Sequence, residues 1–246
     1  MSPAAKDATA AAAETLLSVD GVSAGYGGAM VINDVTLAVH PGEIVTVLGK
    51  NGMGKTTLMK TIMGFVRAQS GRIALGGEDV TRRAPHAMAR AGVAYAPQEF
   101  TIFQDLTVEE NLRVGVPDDR VFADRVGSLG DVFPRMLERL KQRAGTLSGG
   151  EQKMLIMSRA VLARPRLMLV DEISEGLQPT MIERMAEVLR ATREANGTAV
   201  LLVEQHLSFA LSVADRFAVL KLGQIVEEGP AGDPSASAAL AEHLKL

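Results

Sequence analysis

The sequence contains no cysteine, which excludes a disulfide framework and thiolate metal sites and fits a reducing compartment. It also lacks any apolar run near the roughly 20 residues that a membrane-spanning helix requires. The long uncharged stretch 21–33 is interrupted by Gly21, Gly25, Gly27, Gly28 and Asn33, so the chain is not expected to cross a bilayer by itself. Excess positive charge is missing too. With 26 basic and 29 acidic residues the formal net charge is −3, which argues against a protein that binds nucleic acid by neutralising phosphates in bulk. Residues 1–14, small and Ala-rich, have neither the basic segment nor the apolar core of a secretory signal and are expected to form a disordered leader. No internal repeat or heptad run occurs. What is present is the balance of a globular protein: 246 residues, 47% hydrophobic and 22% charged, enough for one large domain or two small ones.

From residue 16 onward, short strand-like runs alternate with glycine-containing turns. Segments 16–22 and 31–39 read as strands, and in the second Val31, Val35, Leu37 and Val39 partly alternate with polar residues. Segment 43–48 is apolar and β-branched, the composition of a central strand buried on both faces. After Lys55 the period becomes helical, with Leu58, Met59, Ile62, Met63 and Val66 on one face. Further strands are expected at 72–75, 92–95, 167–170, 198–203, 216–220 and 224–228. Met181, Ile182, Met185, Val188, Leu189 and Thr192 mark a long helix that Asn196-Gly197 should stop. Residues 107–163 read as mostly helical, with no good strand. The pattern is that of an α/β core interrupted by a helical insertion.

Three motifs carry chemistry. Gly49-Lys50-Asn51-Gly52-Met53-Gly54-Lys55-Thr56 matches the phosphate-loop pattern G-x-x-x-x-G-K-S/T in full. Its glycines let backbone N–H groups curl around phosphate oxygens, the following helix adds its N-terminal dipole, and Lys55 reaches the β- and γ-phosphates. Thr56 supplies a hydroxyl to Mg2+. Leu167-Met168-Leu169-Val170-Asp171-Glu172 is an apolar strand ending in two carboxylates. Such an end is commonly only a turn; beside a phosphate loop, Asp171 is suited to hold Mg2+ and Glu172 to orient and deprotonate an attacking water. Leu147-Ser148-Gly149-Gly150-Glu151 precedes an apolar helical segment, 152–163. It offers a second anion cradle of a Ser hydroxyl and glycine amides at a helix N-terminus, or, taken alone, a Ser N-cap in a glycine turn.

The Leu147–Glu151 motif, lying between the phosphate loop and the Asp-Glu strand, resembles the signature of ATP-binding cassette (ABC) ATPases, and the likeness covers about 16–230. The resemblance implies a P-loop NTPase ABC cassette, a mixed-sheet α/β core with a helical subdomain inserted at about 100–163, in a single domain spanning 15–246. It implies ATP and Mg2+ as cofactors. It makes Gly49, Lys50, Asn51, Gly52, Met53, Gly54, Lys55, Thr56 and Thr57 the phosphate loop, Tyr26 the adenine-stacking aromatic, and Ser148, Gly149, Gly150 and Glu151 the signature. Thr56, Gln98 and Asp171 would serve Mg2+, with Gln98 linking metal and nucleophilic water to a membrane partner, and Glu172 would be the general base. Tyr26-Gly27-Gly28, Leu106-Thr107-Val108-Glu109-Glu110-Asn111-Leu112, Arg143-Ala144-Gly145-Thr146 before the signature, Ser174-Glu175-Gly176-Leu177 and Leu202-Val203-Glu204-Gln205 look like the F-type ATPase subunit of branched-chain amino-acid importers. Amide and urea importers share much of this.

The resemblance has gaps. Most ABC ATPases carry a His after the strand equivalent to 200–204, contacting the γ-phosphate; here Gln205 holds that position, with His206 one place later as the alternative or as a helix-start residue. Ile173 and Gln178 stand where the wider family usually has Pro and Asp. Slower hydrolysis than at a site with His is therefore expected. The family architecture implies a second ATPase chain, a G-type subunit or a second copy, whose signature faces this chain's phosphate loop. It also implies permease subunits and, indirectly, an external solute-binding protein, with no nucleic acid, at the cytoplasmic face of the inner or plasma membrane. Phe100, Ile102 and Phe103 are candidates either to contact the permease or to pack in the core. The expected function is an ATP-hydrolysing importer subunit, the alternative being a regulatory or non-transport nucleotide-binding module with weak hydrolysis. His40, His86, His206 and His243 show no metal-ligand spacing.

Overall fold

In the computed structural model, which describes residues 15–98, 102–233, 240 and 243, β1 (Leu17–Tyr26), β2 (Ala29–Val39), β4 (Ala68–Leu75) and β5 (Glu78–Asp79) form an antiparallel sheet in the order β2-β1-β4-β5. A second sheet, in the order β10-β9-β3-β8-β7-β6, holds β3 (Ile44–Leu48), β6 (Val93–Ala96), β7 (Leu167–Asp171), β8 (Ala199–Glu204), β9 (Arg216–Lys221) and β10 (Gln224–Pro230). Its neighbours β9-β3, β3-β8, β8-β7 and β7-β6 are parallel, and β10 closes one edge antiparallel to β9. The mixed α/β reading therefore holds. The expected leader 1–14 and Phe100 lie outside the described residues.

Alternation along the parallel strands explains their apolar runs. Met168, Val170, Val200 and Leu202 face one core, while Leu169, Leu201, Val203, Val45 and Val47 face another. With both faces covered, every residue of β3, β7 and β8 is buried, and no polar alternation survives in the sequence. The first core is roofed by α7 (Gly149–Leu162) and α8 (Pro179–Asn196), the second by α1 (Lys55–Ile62) and the antiparallel sheet. Strands β1 and β4 run further than the sequence pattern predicts, because register shifts near Asp20, Val22 and Ala24 absorb the glycines that look like breaks. Two-residue β5 is polar and too short to leave a period.

The segment expected to be helical holds α3 (Val108–Arg113), α4 (Asp119–Arg125), α5 (Leu129–Val132), α6 (Pro134–Glu138) and α7, after the short α2 (Pro85–Arg90). Its one strand-like feature among the described residues is an isolated bridge from Thr107 to Arg143. Helix starts follow local chemistry: Thr107 with Glu110, and Ser148 with Glu151, form reciprocal capping boxes for α3 and α7. At the other end of α8, Gly197 takes φ 65°, the left-handed conformation that stops the helix where Asn196-Gly197 predicts. α9 (Leu207–Val213) follows β8.

Asn111 ties the helical layer to the chain that follows β6. Fully buried, it accepts from Phe103 N–H at 2.8 Å and donates to the carbonyl oxygens of Phe103 and Thr107, each at 2.9 Å. Asn111→Ala would leave buried backbone groups unpaired. A loss of about 2–3 kcal/mol is expected in urea unfolding, with no change in slope.

Candidate nucleotide site

The loop between β3 and α1 is shaped by close approaches. At Gly49 a Cβ would sit 2.5 Å from the Leu220 carbonyl oxygen, and at Gly54, with φ 102°, a Cβ would meet Ile32 at 2.8 Å. Both positions therefore require glycine, and Gly54 is the residue from which α1 starts. Met53 is pinned from outside, its carbonyl accepting from Gly223 N–H at 3.2 Å. The first-turn amides of α1 have no intrahelical acceptors and carry the positive end of the helix dipole, which is the electrostatic cradle an anion needs.

Lys55 is buried at 3% exposure, and its ammonium donates to the carbonyl oxygens of Gly49 at 2.6 Å and Lys50 at 2.9 Å. It also pairs with Glu172 Oε1 at 2.9 Å. The other Glu172 oxygen accepts from Gln98 Nε2 at 2.9 Å, and that amide donates again to Glu175 at 2.8 Å. Thr56 Oγ1 meets Asp171 Oδ1 at 3.2 Å, while the Tyr95 hydroxyl donates to Asp171 Oδ2 at 3.0 Å. The structure thus brings Lys55, Thr56, Gln98, Asp171 and Glu172 together. Gln98 is engaged by the two glutamates and not by the Thr56–Asp171 pair.

Oxygen donors fit a hard cation. Thr56 hydroxyl and Asp171 carboxylate are the ligand types Mg2+ takes, and among the described residues no cluster of three or more His, Cys, Asp or Glu could hold a metal by protein ligands alone. Burial pushes the Asp171 carboxyl up to about 6, against the lowering hydrogen bonds from Tyr95 and Thr56, so its charge is poorly compensated by the protein itself. A dication with phosphates would supply what this set lacks.

Tyr26, half exposed at the end of β1, lines with Thr56, Gln98 and Asp171 a cavity of about 830 Å³. The cavity extends over apolar surface to Val114 in the helical layer. Ser148, Gly149, Gly150 and Glu151 lie at the start of α7, where their bonds are local: the capping box and an ion pair from Glu151 to Arg139 at 3.2 Å. The Ser148 bonds hold the Glu151 carboxyl below its ordinary range. Gln205 is half-buried just past β8, donating its N–H to Glu204 at 3.3 Å, whereas His206 accepts from Phe209 N–H at 3.4 Å as the N-cap of α9 and faces the groove between α8 and α9. Gln178 is the N-cap of α8 without a side-chain bond, a position where Asp would cap. Ile173 is buried in the core beside α7 and α8. Ile102 packs against that core, and Phe103 is exposed. Sequence reasoning missed Tyr95, Lys153, Ser174 and Glu204. Lys153 was visible as a charge directly before the apolar run Met154–Met157 and Glu204 as a carboxylate closing an apolar strand; Tyr95 carried no signal.

A model of the ABC transporter family matches residues 32–175. The chain belongs to the ABC transporter family. Over 213 residues it is 42% identical to the high-affinity branched-chain amino acid transport ATP-binding protein BraG of Pseudomonas aeruginosa, covering 86% of this chain and 91% of that one. The probable branched-chain amino acid transport ATP-binding protein LivF of Archaeoglobus fulgidus is 34% identical, with 92% and 94% covered. A solved structure of an ATP-binding subunit of an ABC transporter superposes with TM-score 0.81 at 28% identity, over 94% of this chain and 98% of that chain. As an ABC ATPase, the chain binds ATP and hydrolyses it in support of transport.

Burial of Asp171 makes the stability of the protein depend on pH. Between the carboxyl's ordinary 3.8 and about 6 the folded ABC ATPase binds the extra proton, so without nucleotide and metal its stability falls as pH rises through that window, by on the order of 3 kcal/mol. Asp171→Asn is expected to raise the melting temperature of the nucleotide-free, metal-free protein at pH 7.5 and to flatten this pH dependence, as measured by thermal melts from pH 4 to 8.

Proposed function

We propose that this ABC ATPase powers uptake of branched-chain amino acids, or a similar small polar solute, through a membrane importer. The observation that carries the reading is the meeting of Lys55, Thr56, Gln98, Asp171 and Glu172 at one strand-loop-helix junction. The names of the relatives BraG and LivF support the solute class.

The phosphate-loop amides from Gly49 to Thr57 would wrap the phosphates, with Tyr26 stacking on adenine. Thr56 and Asp171 would hold Mg2+, with Gln98 beside them. Bound there, the metal would offset phosphate charge and polarise the γ-phosphoryl group. Lys55, now turned to Gly49, Lys50 and Glu172, would turn its ammonium to the β- and γ-phosphates. That frees one oxygen of Glu172, which takes the proton of an attacking water while Gln98 holds the other oxygen. Gln205 fits the γ-phosphate-contacting position better than His206, which is committed to capping α9. Residues 15–246 would act as one cassette.

Ser148, Gly149, Gly150 and Glu151 would complete the site of a second ATPase subunit, a G-type chain or a second copy. Permease subunits would dock near Gln98 and Phe103, beside the apolar cavity, and an external solute-binding protein would act through them. No helix among the described residues is long and apolar enough to cross a membrane. The proposed location is peripheral, at the cytoplasmic face of the inner or plasma membrane.

Glu172→Gln is expected to trap an ATP-bound dimer and abolish uptake. Wild-type ATPase rates and uptake in that variant would sink the transport reading. Phe103, 51% exposed, tests the docking surface: Phe103→Asp should leave nucleotide affinity within about twofold in a fluorescent ATP-analogue titration while uptake drops tenfold or more. Uptake at the wild-type level would remove Phe103 from that surface.

A further inference from the structure

Glu172 stands in a backbone conformation that side chains disfavour, with φ 45° in the left-handed region. Such a residue is worth about 1 kcal/mol or more to relax, so its neighbours must hold it. Two buried charged groups do so from opposite sides. From α7, Lys153, 7% exposed, donates its ammonium to the carbonyl oxygens of Glu172 and Ile173, each at 3.3 Å, and of Glu175. From the end of β8, fully buried Glu204 accepts from the Ser174 N–H at 3.0 Å and the Ser174 hydroxyl at 2.8 Å. Between them the Glu172 N–H donates to the Val203 carbonyl at 2.9 Å.

An ammonium has three donors, and three loop carbonyls receive them. That match is what allows the charge to be buried. Burial still pushes Lys153 below its ordinary range, opposed by Glu175, Glu204 and Glu172. The Glu204 carboxylate also accepts from the Gln205 N–H at 3.3 Å, so the same buried group reaches the residue beyond β8.

We infer that Lys153 and Glu204 are positioning residues for hydrolysis: they clamp the segment 172–175 between α7 and β8 and thereby fix the direction of the Glu172 carboxylate. The inference rests on the proposed role of Glu172 as general base. The hydrogen bonds that Lys153 gives this loop all go to backbone carbonyls, and a small misplacement of a base costs rate more than binding.

Steady-state ATPase measurements on the full chain in its assembled transporter test this. Lys153→Met keeps the side-chain volume and removes the donors; kcat is expected to fall about tenfold or more, with KM for ATP within about twofold. Lys153→Arg, which restores a buried cation with several donors, should recover most of the rate. An unchanged kcat in Lys153→Met, a rise in KM that accounts for the loss, or no recovery in Lys153→Arg overturns the clamp. Should Lys153→Met fail to fold, Lys153→Gln retains a donor amide: an intermediate kcat at unchanged KM supports the clamp and a wild-type kcat overturns it. Glu172→Gln separates the two claims. Lost hydrolysis there beside wild-type rates in Lys153→Met defeats the clamp alone, whereas wild-type hydrolysis in Glu172→Gln defeats the base assignment and the clamp with it.

Discussion

The site is organised around a buried ion pair, Lys55 to Glu172 at 2.9 Å, with side chains 3% and 4% exposed. Burying two charges costs several kcal/mol of solvation per ion, and an attraction of this kind commonly does no better than well-packed apolar residues. A pair kept at such a cost is a poor source of stability and a good store of reactive groups. In the proposed function each partner would have a task in phosphate chemistry, the cation at the phosphates and the carboxylate at the water. The pair holds both in place, one on the helix after β3 and the other at the end of β7.

Everything around the pair serves its geometry. Parallel strands β3, β8 and β7 lie side by side, so the loops leaving their ends emerge at one edge of the sheet. This is the position at which open α/β sheets place their ligands. The two apolar cores on either face make those strand ends rigid. Gln98, two residues beyond β6, reaches Glu172, and Tyr95 on that strand steadies Asp171. The helical layer is attached through Asn111 on one side and Lys153 on the other.

Much of this was legible in the residues. Buried strands β3, β7 and β8 announce themselves as mostly apolar runs without polar alternation, because a strand covered on both faces has no solvent-facing side. The phosphate loop is legible because glycine is required by close approach at Gly49 and by a positive φ at Gly54. Helix ends at Ser148 and Gly197 follow from local capping chemistry. The extension of β1 past Val22 and the two residues of β5 were not legible, since sheet pairing across bulges is decided by partners distant in sequence. Nor were the links of Tyr95 to Asp171 and of Glu204 to Ser174, which join strands and loops that only the fold makes neighbours. The resemblance to a family supplied roles for Tyr26, Gln98 and Ser148, whose residue types alone say little. Of Gln205 and His206, only the fold distinguishes the helix cap from the residue beside Glu204.

A crystal structure of the full chain with Mg2+ and a non-hydrolysable ATP analogue tests the account most directly. The account predicts that Lys55 leaves Glu172 for the β- and γ-phosphates while Thr56 and Asp171 flank the metal. A Lys55–Glu172 pair that persists unchanged beside bound nucleotide would contradict it.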